Sequence, residues 1–271
     1  MNYRLYISII GLLFLLSCQD AFDYSPYLID FGEDDKQCNV KNIQELLQDT
    51  NAEDSIRIAI TGDTHRDFDE LELFVKAVNT SHKITPVDFV IHVGDFADFG
   101  LPKQYLWSNA ALKKLDCPYI VNLGNHDLVG NGGQAYTEMY GDYNFSFIYK
   151  RIKFVFINTN GREFNFNGNV PDINWLDRQL RPSTEFGKAI VVFHVPPMNV
   201  DFDPNLEDSF HSTLAKNDNV LLAIYGHLHH YDFYQPYADS VNYLNVYGIE
   251  NLKYNMVTIT NNQIKVSSHD L

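Results

Sequence analysis

The chain has 271 residues, 45% hydrophobic and 14% aromatic, enough apolar material to bury a full core, which argues against intrinsic disorder. Lysine and arginine number 20 against 35 aspartates and glutamates, a net charge of −15; such a surface repels a polyphosphate backbone, so no nucleic-acid partner is expected. Three cysteines without CxxC spacing exclude a zinc ribbon or a disulfide framework, whereas ten histidines are enough to build a metal site.

From the N-terminus, Leu5 to Leu16 is an apolar run behind Arg4, shorter than the ~20 residues a spanning helix needs and of the length of a signal-peptide core. It ends in Leu15-Leu16-Ser17-Cys18, which resembles a bacterial lipoprotein signal, where the cysteine is lipidated and becomes the new N-terminus. The alternative is an ordinary secretory peptide with an incidental Cys18. The expected organisation is a signal peptide over 1–17, a tether and docking segment over 18–54, and one domain over 55–271. Removing residues 1–17 takes away Arg4 and no acid, leaving 19 basic against 35 acidic side chains, net −16. With Cys18 lipidated, only Cys38 and Cys117 remain, and the sequence leaves open whether they pair. The predicted location is the cell envelope, lipid-anchored, facing the periplasm or the exterior, away from cytosolic cyclic nucleotides and chromosomal DNA.

Beyond the tether, Ser55 to Ile60 reads as a strand ending at Thr61-Gly62-Asp63, and Leu71 to Val78 has helical spacing. Phe89 to Val93 is the next strand, ending at Gly94-Asp95. Pro102 opens a helix to about Leu115, and Tyr119 to Leu123 ends at Gly124-Asn125. Phe145 to Tyr149 and Arg151 to Ile157 read as a hairpin, and Ile173 to Leu180 as a helix. Ala189 to Phe193 ends at His194, and Leu221 to Tyr225 at Gly226-His227. Tyr243 to Val246, Asn255 to Thr260 and Ile264 to Ser267 close the chain as strands. Strands alternating with helices, then hairpins, predict a mixed α/β sandwich, with ligands gathered beyond strand ends.

The polar groups at those ends are Asp63 and His65, Asp95, Asn125 and His126, His194, and His227 with His229. Carboxylates and imidazoles suit manganese, iron or zinc, whereas calcium prefers oxygen alone and structural zinc prefers thiolate. Gly62, Gly94, Gly124 and Gly226 each precede a donor, where backbone freedom is expected.

These residues fall into five ordered blocks: Asp63-Thr64-His65, Gly94-Asp95-Phe96-Ala97-Asp98, Gly124-Asn125-His126-Asp127, His194, and Gly226-His227-Leu228-His229. The pattern, over about residues 56–230, resembles the calcineurin-like metallophosphoesterases. That resemblance implies a four-layer αββα sandwich, two mixed sheets flanked by helices, with two divalent ions at the strand C-terminal ends. Asp63, His65 and His229 would hold one ion and Asn125, His194 and His227 the other, with Asp95 bridging. Such a pair lowers the pKa of a shared water, supplies a bridging hydroxide and stabilises an in-line displacement. The resemblance makes His126 the catalytic proton donor or transition-state stabiliser, with Asp127 or Asp98 orienting its ring.

His82, His92, His211, His230 and His269 lie outside the blocks and read as structural or exposed. Arg66 reads as a surface arginine, with a phosphate contact as the alternative. The aromatics of Tyr136–Tyr149 and Glu163–Asn169 either pack as a hairpin or cover the site, and Gly161 and Gly168 favour a mobile loop there. No G-x-S-x-G, Walker A or H-E-x-x-H motif occurs, which disfavours serine hydrolases, P-loop NTPases and zincins. The pattern is closest to the phosphodiesterase-type branch, with a lipid, glycan or other small phosphoester as substrate. A monoesterase or nucleotidase, and a non-catalytic binding lipoprotein of the same fold, stand as alternatives.

Overall fold

The computed structural model describes residues 25–48, 55–237 and 241–271; the signal-peptide reading and Cys18 lie outside them. The strands are β1 (Ile56–Thr61), β2 (Phe89–His92), β3 (Tyr119–Val121), β4 (Phe145–Tyr149), β5 (Ile152–Phe156), β6 (Lys188–Val192), β7 (Val220–Tyr225), β8 (Asp232–Tyr234), β9 (Asn242–Asn245), β10 (Lys253–Thr260) and β11 (Gln263–Asp270). The helices are α1 (Cys38–Leu46), α2 (Phe68–Ile84), α3 (Pro102–Leu112), α4 (Gly132–Met139), α5 (Ile173–Leu180) and α6 (Glu207–Ala215).

The strands form two mixed sheets, one in the order β11-β10-β1-β2-β3 and the other β4-β5-β6-β7-β9-β8. Parallel strands β1, β2 and β3 lie beside the antiparallel β10–β11 pair in the first. In the second, β5, β6, β7 and β9 are parallel, with β4 and β8 antiparallel at the edges. Side-chain alternation decides the layers. Ile58 and Ile60 of β1, Phe154 and Phe156 of β5, and Leu222 and Ile224 of β7 meet between the sheets. On the outer faces, Ala59 and Val90 meet Leu71 and Phe74 of α2, while Val191 and Ala223 meet Leu176 of α5 and Phe210 of α6. Both faces of the central strands are covered, which is why they read as unbroken apolar runs. The four-layer αββα arrangement is the one expected.

Three helices had no counterpart in the expectation. Tyr136 and Tyr140 are not hairpin residues: α4 and its C-terminal end bury both in the core under the first sheet. The hairpin reading holds for β4 and β5, where Phe145 stacks on Phe156 at 4.5 Å and Phe147 on Phe154 at 5.2 Å. Helix α6 lies over the second sheet. Helix α1 covers the open edge of β3: the Asn39 side chain donates to the Val121 carbonyl (2.8 Å) and accepts from its N–H (2.9 Å), and Asn42 donates to the Tyr119 carbonyl (2.8 Å). The two amides occupy the hydrogen-bonding positions of a further strand. Cys38 and Cys117 are both buried free thiols, pushed up in pKa by burial, Cys117 to about 12.

Candidate metal centre

The parallel strands β1, β2, β3, β6 and β7 end on one side of the sandwich, and the loops leaving them carry every expected ligand. Asp95 lies at the centre. One of its oxygens accepts the His126 backbone N–H (2.9 Å) and the other faces His194 Nε2 at 3.1 Å. Donor atoms of His65, Asp95 and His126 lie within 4.8 Å of one another, and so do those of Asp95, His194 and His227. Asp63 Oδ1 is 3.5 Å from His229 Nε2, and Asn125 Oδ1 is 3.1 Å from His227 Nδ1. The structure thus brings together Asp63, His65, Asp95, Asn125, His194, His227 and His229, with Asp95 common to both clusters.

These donors are held in costly backbone conformations. Asp63, Asp95, His227 and His229 have φ of 51°, 58°, 72° and 56°, each a non-glycine left-handed position costing ~1–3 kcal/mol. The freedom expected of the preceding glycines is needed only at Gly94, whose φ is 111°. Elsewhere the glycine permits close approach: a Cβ at Gly124 would lie 2.1 Å from Asp95 Oδ1, and one at Gly226 2.7 Å from Asp63 Oδ2. The strain falls on the donors, where it aims the side chains inward.

Acceptors behind the histidines fix the rings. His194 Nδ1 donates to the Val93 carbonyl (3.0 Å), leaving Nε2 for the site. His229 Nδ1 meets Glu250 at 2.9 Å, and His227 Nε2 faces Asp201 Oδ2 at 3.5 Å. Asp201 is in turn paired with the Arg162 guanidinium. His65 Nδ1 lies 3.6 Å from Asp98 Oδ1. Carboxylates or carbonyls behind ligand imidazoles are the usual outer support of a metal site. Asp201 and Glu250 escaped the sequence reading, since each meets its histidine only through the tertiary fold.

His126 stacks on His65 with ring centroids 4.5 Å apart. Its Nδ1 lies 3.0 Å from the Asp98 carbonyl and 3.4 Å from Asp98 Oδ1, so Nε2 is left to face the opening. Of the two aspartates expected to orient this ring, the structure selects Asp98. The Asp127 carboxylate instead accepts the N–H groups of Asp95, Phe96, Ala97 and Gly124 at 2.8–3.0 Å. It clamps two ligand loops together and is no partner of the His126 ring. Arg66 keeps an exposed guanidinium 3.1 Å from Asp98 Oδ1, at the edge of the site. His92 is structural: its Nε2 meets Thr64 Oγ1 at 2.8 Å, its Nδ1 accepts from Gly94 N–H, and burial pushes it down to about 3.

The segment at Arg162–Phe164 is a short 3-10 turn rather than a free loop. Arg162 N–H donates to the Asp201 carbonyl and Gly168 N–H to Asp203, which pins it against the loop between His194 and α6. Phe164 is half-buried and Phe166 exposed beside it.

Electrostatics and unmet hydrogen bonds indicate what the cluster accommodates. Burial raises Asp63 to about 6, with the Asp95 charge acting in the same direction against His194. Burial opposes the charge on Asp95 too, but His194 overrides it and holds the carboxyl well below the usual range. Burial would lower His194, yet Asp95 and Asp63 bring it to about 9. Burial pushes His65 down to about 4 and His227 to about 3, the neutral form a ligand imidazole needs. Both ring nitrogens of His65 are buried without a hydrogen-bond partner, a deficit of ~1–3 kcal/mol for each such group, and His194 Nε2 has the Asp95 carboxylate as its neighbour at 3.1 Å. Cations among these donors would remove that deficit, and the nitrogen and oxygen set fits divalent manganese, iron or zinc.

The calcineurin-like phosphoesterase family model matches residues 56–231. A relative from Arcobacter nitrofigilis named "Probable glycerophosphodiester phosphodiesterase" is 25% identical over 155 residues, 52% of this chain and 56% of that protein, so the chain spans little more than half of it. A second, from Coxiella burnetii, named "Probable cyclic nucleotide phosphodiesterase", is 30% identical over 193 residues, 64% of this chain and 76% of the relative. The crystal structure of a dimetal phosphatase from Danio rerio superposes with a TM-score of 0.65 at 13% identity, covering 79% of this chain and 96% of that one. That likeness is one of fold.

Proposed function

The chain belongs to the calcineurin-like phosphoesterase family, and from that premise we propose that it hydrolyses a phosphodiester at a two-metal centre on the envelope side of a bacterial membrane. The carrying observation is the convergence on the buried Asp95 of two donor clusters, with both ring nitrogens of His65 buried and unpartnered and Asp63 as a second buried carboxylate. Asp63, His65 and His229 would hold one ion, Asn125, His194 and His227 the other, and Asp95 would be shared. Ions so held supply water activation and neutralise charge on the phosphoryl oxygens.

The remaining work falls to the chain itself. His126 Nδ1 is engaged by the Asp98 carbonyl, with the Asp98 carboxylate beside it, an arrangement that fixes the ring and turns Nε2 toward where the departing alkoxide would lie. Asp201 and Glu250 keep His227 and His229 in place. Arg66 and Arg162 put two cations at the rim of a chain whose net charge is −15. Preference for diesters is supported by the names of the two relatives, and anchoring at Cys18 by the apolar run that precedes it.

The test is turnover of an aryl phosphodiester and the matching monoester by the full chain loaded with manganese. Diester cleavage that stops with chelator is expected. Two ions bound per chain with neither ester turned over would overturn the catalytic reading and favour a binding protein, while faster monoester cleavage would reassign the substrate class. Acyl-chain labelling in cells that Cys18→Ser abolishes is the corresponding check on the anchor.

A further inference from the structure

Large exposed apolar side chains gather around the loops that carry the metal ligands. Phe99 follows Asp98, and Val129 follows the turn at His126–Leu128. Met198 and Val200 lie between His194 and Asp201, Tyr231 comes two residues after His229, and Phe166 leaves the turn that pairs with Asp201. These side chains lie on the same loops as the polar donor cluster, each within a few residues of a donor or of a residue that backs one. Soluble surfaces do not ordinarily concentrate apolar groups in this way. Helix α3 adds a half-exposed Trp107, packed edge-on against Phe68 at 5.4 Å with Lys103 6.0 Å above its ring. An aromatic with a nearby cation is a side-chain pairing suited to the boundary between lipid and water.

A second observation identifies what covers this rim. The described chain begins beside it: the Tyr27 carbonyl accepts from Asn131 Nδ2 at 2.6 Å, and the Tyr27 ring lies against Gly130. Both partners follow the His126–Leu128 turn. Eight residues separate Tyr27 from Cys18, and the nine Cα–Cα steps between them span about 30 Å at full extension. An acyl anchor on Cys18, as proposed above, would keep the segment at Tyr27, and with it the ligand side of the sandwich, within that reach of the bilayer. The acidic body as a whole is repelled by anionic headgroups, so the contact falls to this rim, where the apolar side chains stand with Arg66 and Arg162.

We infer that the ligand-bearing loops dock on the membrane surface, and that the phosphoester cleaved is the headgroup linkage of a lipid in that same bilayer. The docking stands on the rim, on the position of Tyr27 and on the anchor proposed at Cys18; the lipid substrate rests on the proposed phosphodiesterase reading.

The experiment uses the full chain, reconstituted through its anchor into phosphatidylethanolamine–phosphatidylglycerol vesicles containing a brominated phosphatidylcholine. An environment-sensitive fluorophore is attached at Val200→Cys, on the rim and 79% exposed, or at Ile84→Cys, at the far end of α2 and 82% exposed. Cys38 and Cys117 are buried, and the parental chain serves as the blank. Severalfold quenching at position 200 with none at 84 is expected. Equal quenching at both, or none at either, overturns the docking, and a dimer cross-linked through Val200→Cys would assign the face to a second copy instead. The activity arm compares vesicle phosphatidylglycerol with a soluble aryl diester for the pair Val129→Asp and Val200→Asp. Loss of at least about tenfold on the vesicle lipid with the soluble rate retained is expected, and parallel rates on both overturn the lipid substrate. Quenching at position 200 without turnover of the soluble diester in the parental chain leaves the docking in place and removes the catalytic reading, so the two failures are distinguishable.

Discussion

His126 and Asp95 both lie within reach of His65, yet they differ in what surrounds them. Asp95 is wholly buried, shared by both donor clusters, and locked by the His126 N–H and His194. His126 is partly exposed and its Nδ1 is taken up by Asp98. Asp95→Ala should therefore lose both ions, whereas His126→Ala should keep them and lower kcat by about 10²–10⁴-fold, the usual contribution of a positioned proton donor. Metal content by mass spectrometry alongside single-turnover rates checks the pair; a His126→Ala protein with native rate, or one stripped of metal, removes the role given to this residue. The sequence could place His126 in the site because its block follows a strand end. It could not choose between Asp98 and Asp127 as its partner, because both flank the blocks and only the fold shows Asp127 spending its carboxylate on four backbone N–H groups.

At the level of elements, β3 would be an open edge without α1. Val121 is fully buried, and its N–H has Asn39 Oδ1 as partner, while its carbonyl also receives the Tyr136 hydroxyl at 2.7 Å. Asn39→Ala should thus orphan the N–H more than the carbonyl and destabilise the domain by about 1–3 kcal/mol. Urea unfolding measures this, and a change under about 0.5 kcal/mol, the range of a neutral surface substitution, would mean that α1 does not support the sheet. No local pattern announces such a contact, since Asn39 and Val121 are 82 residues apart. The same holds for Asp201 behind His227 and Glu250 behind His229. By contrast β1, β5, β6 and β7 are legible, because strands covered on both faces are largely apolar runs that stop at a polar residue, after a glycine in β1 and β7.

Over the whole molecule, the core beneath the first sheet is rich in phenols. Tyr105, Tyr136 and Tyr140 are fully buried around Phe96, and Tyr119 lies beside them. Burial raises all four, Tyr105, Tyr136 and Tyr140 well above the usual value. The native state then binds protons that the unfolded chain releases near pH 10, so stability is intact below that pH and falls as pH rises above it. Each such group contributes a slope of up to about 1.4 kcal/mol per pH unit. Alkaline titration should show tyrosinate absorbance from these residues appearing together with loss of near-ultraviolet circular dichroism; gradual tyrosinate formation in a folded protein would contradict it. The sequence by itself determined the mixed α/β class and the polar donors at the strand ends, because sheet burial and strand-end chemistry are written locally, in apolar runs and in the residues that terminate them; the four-layer arrangement and the division of the donors between two ions came from the family resemblance those donors carry. Only the tertiary structure decided which acid backs which histidine, that strain resides on the donors rather than on most of their glycines, and that Tyr27 lies against Gly130 and Asn131, just after the turn at His126–Leu128. Those relations join segments far apart in the chain, and they exist only when the two sheets pack and bring their loops to one side.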